Sequence, residues 1–115
     1  MVKMVEVNGK TIDGNQGCFL IAEAGVNHNG DLSTAIQLID AALAAHVDAV
    51  KFQTWVTEKI IVVDAPMAEY QRQNMGRDVT QFEMLKKLEL SYQDFRTIKA
   101  YADEVGILFF STPAP

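Results

Sequence analysis

Three short stretches concentrate side chains that handle anions and protons. In Glu23-Ala24-Gly25-Val26-Asn27-His28-Asn29-Gly30, a carboxylate, two amides and an imidazole are spaced by glycines directly after the apolar run Cys18–Ala22. Lys51 and Gln53 lie near the end of the apolar stretch Asp48–Thr54, and Ser111 and Thr112 close Ile107–Thr112. Polar groups at the carboxyl ends of buried strands are where α/β folds place their sites.

Alternation along a strand puts Phe19, Ile21 and Glu23 on one face, and Ala49, Lys51 and Gln53 on one face of the next strand. If the two strands are neighbours and those faces point inward, a carboxylate, an ammonium and an amide converge. Such a group is either a structural Glu23–Lys51 ion pair, since buried charges must be paired, or an anion site beside a carboxylate that hydrogen-bonds or moves a proton. Ser111 and Thr112 either offer hydroxyls and backbone amides to an oxyanion or simply end a strand in a turn. His28 has no evident partner for a metal, because the other histidine, His46, falls at the end of a helix where an imidazole meets the helix dipole. The residues therefore assign no metal site. GVNHNG also lacks the dinucleotide fingerprint and the Gly-Lys-Ser/Thr ending of a phosphate loop.

Positioning these groups is the task of a regular alternation of strands and helices. Residues 3–12 alternate in character around Asn8-Gly9, a hairpin signal. Residues 1–16 are thus expected to form a β-ribbon outside the main repeat, and residues 17–115 a partial barrel domain. A first strand is expected over Cys18–Glu23, covered on both faces. Asp31 is placed to cap a helix over Leu32–Ala45, whose inward stripe is Leu32, Ile36, Ile39 and Leu43. The second strand, Asp48–Thr54, is followed by a long connection, Trp55–Val79. Thr80 with Glu83 forms a capping box opening a helix through Leu90, and Ser91 with Asp94 opens another, with Phe95, Ile98, Ala102 and Val105 as its apolar stripe and Gly106 as its stop. The third strand is expected over Ile107–Thr112, before Pro113 and Pro115 break the pattern.

This order predicts a parallel α/β sheet with right-handed crossovers. Three strands do not close a barrel, and one of eight strands needs about 250 residues. The chain therefore reads as the N-terminal portion of a larger (β/α)8 TIM barrel. Its 115 residues, 49% hydrophobic and 22% charged, have the composition of a globular domain. A net charge of −5 lacks the positive footprint that nucleic acid or an anionic membrane requires, so the expected partners are small molecules. The lone cysteine, Cys18, is expected to be a buried, inert thiol. The start MVKMVEVNGK has no signal-peptide core, so the expected location is cytoplasmic.

IAEAGVNHNGD, the KFQT of Lys51–Thr54, AEYQRQN before QFEMLKKLELS, and FFSTP at the third strand together resemble the sialic acid synthase family of N-acetylneuraminate, legionaminate and related nonulosonate synthases. The resemblance runs from about Cys18 to Pro113, and the opening hairpin before it is also similar to the family's N-terminal ribbon, which covers the bottom of the barrel. It implies a TIM-barrel enzyme that condenses phosphoenolpyruvate with an open-chain N-acetylmannosamine-type sugar and releases phosphate. A divalent cation, manganese or magnesium, is implied with ligands on later strands outside this chain, as are a C-terminal antifreeze-like domain and a domain-swapped homodimer. By position, Lys51 and Thr112 would contact phosphoenolpyruvate, while Glu23, Gln53 and Asn74 would face the sugar. STPAP departs from the family's usual STPF at Ala114. The alternative is a noncatalytic barrel fragment that associates with a partner through the open edge of its sheet.

Overall fold

A computed structural model describes residues 4–14, 17–62 and 80–114. Strands β1 (Val5–Val7) and β2 (Lys10–Ile12) pair antiparallel, with Val5 opposite Ile12. Asn8 and Gly9 both take positive φ, 49° and 82°, matching the turn to the twist of the two strands. Lys10 fastens this ribbon to the main sheet, donating to the Cys18 carbonyl at 2.7 Å and pairing with Asp48 at 3.0 Å. The same Asp48 carboxylate accepts from the Leu20 N–H at 2.7 Å, and that bond, with Lys10, holds its pKa below the ordinary carboxylate range.

The main sheet contains β3 (Ile21–Gly25), β4 (Ala49–Thr54) and β5 (Leu108–Pro113), in that order and all parallel. Helix α1 (Leu32–Ala44) connects β3 to β4, and α4 (Tyr92–Val105) leads into β5. One face of the sheet is covered: Ala22, Ala24, Val50, Phe52 and Phe109 pack with Ala35, Ile39, Ala42, Ile98 and Ala102. The alanines let helix and sheet backbones approach closely, and Tyr101 of α4 donates to Asp40 of α1 across the layer. Helix starts follow the sequence. Asp31 accepts from the Ser33 N–H and Thr34 hydroxyl, Thr80 accepts from the Glu83 N–H, and Ser91 and Asp94 form a reciprocal capping box. Gly106 ends α4 in the left-handed conformation, φ 86°.

Several sequence-based expectations shift. β3 begins at Ile21 rather than Cys18, because the Leu20 N–H and C=O are taken up by Asp48 and Ala49 at the foot of β4. Cys18 consequently lies before the ladder and is exposed, not buried. Leu20 and Ile21 are also half exposed, so β3 is covered on one face only by the described residues. Helix α1 ends at Ala44, the turn being made by His46 with φ 59°, and Leu43 faces outward. The connection after β4 contains a short helix, α2 (Thr57–Ile60). Helix α3 (Gln81–Leu88) stops before Leu90 because Glu89 turns extended to meet α2, which drops Leu90 into the core. β5 runs through Pro113, opposite Thr54; a missing N–H is tolerated at a strand end.

Candidate active site at the carboxyl ends of the strands

The register decides which side chains meet. Glu23 lies opposite Lys51, Lys51 opposite Phe110, and Gln53 opposite Thr112. Partners in a parallel ladder point to the same side, so these residues share the sheet face away from α1 and α4. There Lys51 Nζ lies 3.0 Å from Glu23 Oε2, the side chains being 24% and 54% exposed. In this chain the pair is open on that side, and an ion pair so exposed contributes about 0–1 kcal/mol. Both charges lie on the face that no described helix covers. The ladder slips between Glu23 and Gly25, and Gly25 has φ 56°; a Cβ there would stand 3.0 Å from Glu23 Oε1. The glycine thus leaves room for the carboxylate as well as making the turn.

Ser111 and Thr112 do not act as a pair, because successive strand residues face opposite ways. Thr112 is exposed beside Gln53, whereas the Ser111 hydroxyl meets Thr54 Oγ1 at 2.5 Å on the helix side. Asn74 lies outside the described residues. Among the described residues, no three His, Cys, Asp or Glu side chains gather to hold a metal ion.

His28 is fully buried and stacks on Phe52, ring centroids 6.1 Å apart. Its Nδ1 accepts from the Gly30 N–H at 2.9 Å, so a neutral ring carries its proton on Nε2, which has no hydrogen-bond partner among the described residues. Burial lowers its pKa from 6.5. The unfolded chain then takes up the proton more readily, so this contribution to stability is complete above about pH 6.5 and is lost as pH falls towards the lower folded value. We expect unfolding free energy to drop below pH 6.5 by up to about 1.4 kcal/mol per unit, and His28→Gln to remove that share. An unchanged slope in the variant would contradict this role.

Gly30 is required by packing as much as by its φ of 75°: an added Cβ would stand 2.1 Å from the Lys87 carbonyl oxygen of α3. Gly30→Ala should therefore cost roughly 2–3 kcal/mol in denaturant unfolding, and a loss below about 1 kcal/mol would show that α3 can move aside.

One group of residues carries no signal in the sequence spacing. Trp55 Nε1 donates to Thr57 Oγ1 at 3.1 Å, and the Thr57 N–H and hydroxyl both donate to Glu89 Oε1, at 2.7 and 2.8 Å. Lys86 bridges Glu89 and Glu58, at 3.3 and 2.6 Å. Burial would raise the Glu89 pKa, yet the bonds from Thr57 and Lys86 prevail and hold it low. These contacts join residues 32 positions apart and fix Trp55 as a wall. Beside that wall, a cleft of about 420 Å³ opens at the strand ends. Ile60, Met84 and Leu88 extend its apolar side, and Gln53 and Thr112 stand at its polar side.

Comparison with known proteins identifies the family and the fold. The NeuB family model matches residues 38–114. The N,N'-diacetyllegionaminic acid synthase of Legionella pneumophila is 46% identical over 108 residues, covering 93% of this chain and 30% of that protein. The N-acetylneuraminate-9-phosphate synthase of Homo sapiens is 36% identical over 102 residues, covering 88% and 28%. The crystal structure of N-acetylneuraminic acid (sialic acid) synthetase from Leptospira borgpetersenii serovar Hardjo-bovis, in complex with citrate, superposes with a TM-score of 0.74 at 31% identity, covering 100% of this chain and 35% of that one. The three parallel strands and their helices are thus the N-terminal portion of a (β/α)8 barrel, and the chain spans about three tenths of the length of these curated relatives. Among the described residues, no helix is long and apolar enough to cross a membrane.

Proposed function

This chain belongs to the NeuB family, and we propose that it forms the opening part of a nonulosonate synthase. In this reading, the enzyme condenses phosphoenolpyruvate with an open-chain N-acetylmannosamine-type sugar. The carbon–carbon bond forms between the methylene carbon of phosphoenolpyruvate and the aldehyde carbon of the sugar, the aldehyde oxygen gains a proton, and water replaces the phosphate that leaves. The observation that carries the reading is the Glu23–Lys51 pair, set side by side at the strand ends on the helix-free face of the sheet.

Each group has a role that its chemistry permits. Lys51 is a compact cation that neutralises the carboxylate or phosphate of phosphoenolpyruvate, with the Thr112 hydroxyl as a second donor. Glu23 lies beside it, placed to hydrogen-bond the acceptor or deliver the proton its carbonyl oxygen needs. Gln53, two residues beyond Lys51 on the same face, offers an amide to the sugar, and Asn74 is assigned there too. Binding both substrates against one sheet face supplies the orientation that makes the condensation effectively intramolecular. The resemblance implies a manganese or magnesium ion with ligands on later strands; among the described residues no three His, Cys, Asp or Glu side chains gather to hold one.

The direct assay is phosphate release by the full-length protein given phosphoenolpyruvate, an acylamino sugar and a divalent cation. Release that requires the sugar, with a product of the mass expected for condensation, supports the reading. Release independent of the sugar, or none with any acylamino sugar, overturns it.

A further inference from the structure

We infer that Thr54 and Ser111 form a positioning pair: the bond between their hydroxyls, on the helix side of the sheet, fixes the Thr112 hydroxyl on the opposite face, where phosphoenolpyruvate is proposed to bind. The pair's role rests on the synthase reading above and adds to it residues that act on the anion contact from behind the sheet. Geometry is the first argument. The hydroxyls of Thr54 and Ser111 lie 2.5 Å apart and link the last residue of β4 to β5. Pro113 is the ladder partner of Thr54, and the Ala114 N–H donates to the Thr54 carbonyl at 2.9 Å. Thr112 is therefore flanked on both sides by residues tied to Thr54, Ser111 through its side chain and Pro113 and Ala114 through the ladder. Gln53, which stands opposite Thr112, directly precedes Thr54.

Location is the second argument. β4 ends at Thr54 and β5 at Pro113, and the ends of elements fray unless something ties them down. On the helix side the rings of Phe52 and Phe109 lie 5.5 Å apart, and Thr54 and Ser111 follow them by one strand period, so the hydroxyl bond continues that column to the strand ends. Each hydroxyl can both donate and accept, so the two satisfy one another there. Branching at Cβ also restricts the Thr54 rotamer, which keeps its hydroxyl aimed at β5. The period of two turns Ser111 away from any ligand that Thr112 faces, and its hydroxyl acts through position rather than contact. Position matters because displacing a substrate-contacting group by about 1 Å can cost about a hundredfold in rate.

The test uses the full-length protein, with kcat and KM for phosphoenolpyruvate measured beside melting. Thr54→Val, which keeps the branched shape, and Ser111→Ala should each lower kcat/KM by about tenfold. The double variant should lose less than about twofold beyond either single one, since the two hydroxyls make one contact. Thr54→Ser keeps the hydroxyl and should stay within about threefold of the parent. In a Thr112→Val background, Thr54→Val should change kcat/KM by less than about twofold, because its effect passes through Thr112. Losses that multiply in the double variant overturn the pair, as does a Thr54→Val effect of equal size with and without the Thr112 hydroxyl. Parental kcat/KM with a lowered melting temperature also overturns it, showing a bond that serves stability alone. Should Thr54→Val not fold, Ser111→Ala, in both backgrounds, decides by the same criteria. All these outcomes leave the synthase reading intact, whereas a parent that releases no phosphate with any acylamino sugar removes both.

Discussion

Replacing Lys51 with alanine in the full-length protein should lower condensation by a hundred- to a thousandfold, roughly 3–4 kcal/mol of barrier. Lys51 pairs with Glu23 on the helix-free face, apart from the core of Ile39, Phe52 and Ile98, so truncation removes nothing from that core. The fold should survive. What is lost is the cation facing the place assigned to phosphoenolpyruvate; among the described residues the other lysine ion pairs lie elsewhere, Lys10 at the foot of β4, Lys86 with α2 and Lys99 on α4. KM for phosphoenolpyruvate should rise as kcat falls. Lys51→Arg should rescue poorly, because a planar fork does not occupy the place of a compact ammonium. Near-parental turnover with an unchanged KM in Lys51→Ala would remove Lys51 from the mechanism.

Glu23→Gln separates the two readings of the pair. The amide keeps the shape and one acceptor oxygen but loses the charge and the titrating proton. A carboxylate that served only to pair Lys51 would show as lost stability with turnover per folded molecule nearly kept. The place of Glu23 on the helix-free face, outside the core of Ile39, Phe52 and Ile98, argues for the reverse. Turnover or acceptor affinity should fall by about a hundredfold, with less than about 1 kcal/mol lost in unfolding. A single-turnover rate within about threefold of the parent, accompanied by a strong shift in unfolding, would instead support the structural role.

Much of this arrangement is legible in the sequence. Alternation placed Glu23, Lys51 and Gln53 on shared faces, and the observed register, Glu23 opposite Lys51, is what brings the two charges within 3.0 Å. The hairpin turn, the capping residues of α1 and α4 and the stop at Gly106 were legible because each depends on a few adjacent residues. What escaped depends on contacts distant in sequence. Nothing near Cys18 announces that Asp48 will take up the backbone of Leu20, yet that contact delays β3 and leaves the thiol exposed. Likewise, Glu89 reads as an ordinary surface carboxylate until Thr57, 32 residues away, donates to it twice. Ser111 and Thr112 look like one hydroxyl pair in sequence, and the strand's period of two separates them. The burial of His28 follows from its contact with Phe52 on another strand, which no local pattern encodes.

The central claim is that the helix-free face at the strand ends, between Glu23, Lys51 and Thr112, holds the anionic substrate. Its most direct test is a crystal structure of the full-length protein with phosphoenolpyruvate bound. The account predicts a carboxylate or phosphate oxygen of phosphoenolpyruvate about 2.7–2.9 Å from Lys51 Nζ, with Thr112 beside it and Glu23 facing the space left for the acceptor. Phosphoenolpyruvate bound elsewhere, with Lys51 still paired to Glu23 alone, would contradict it.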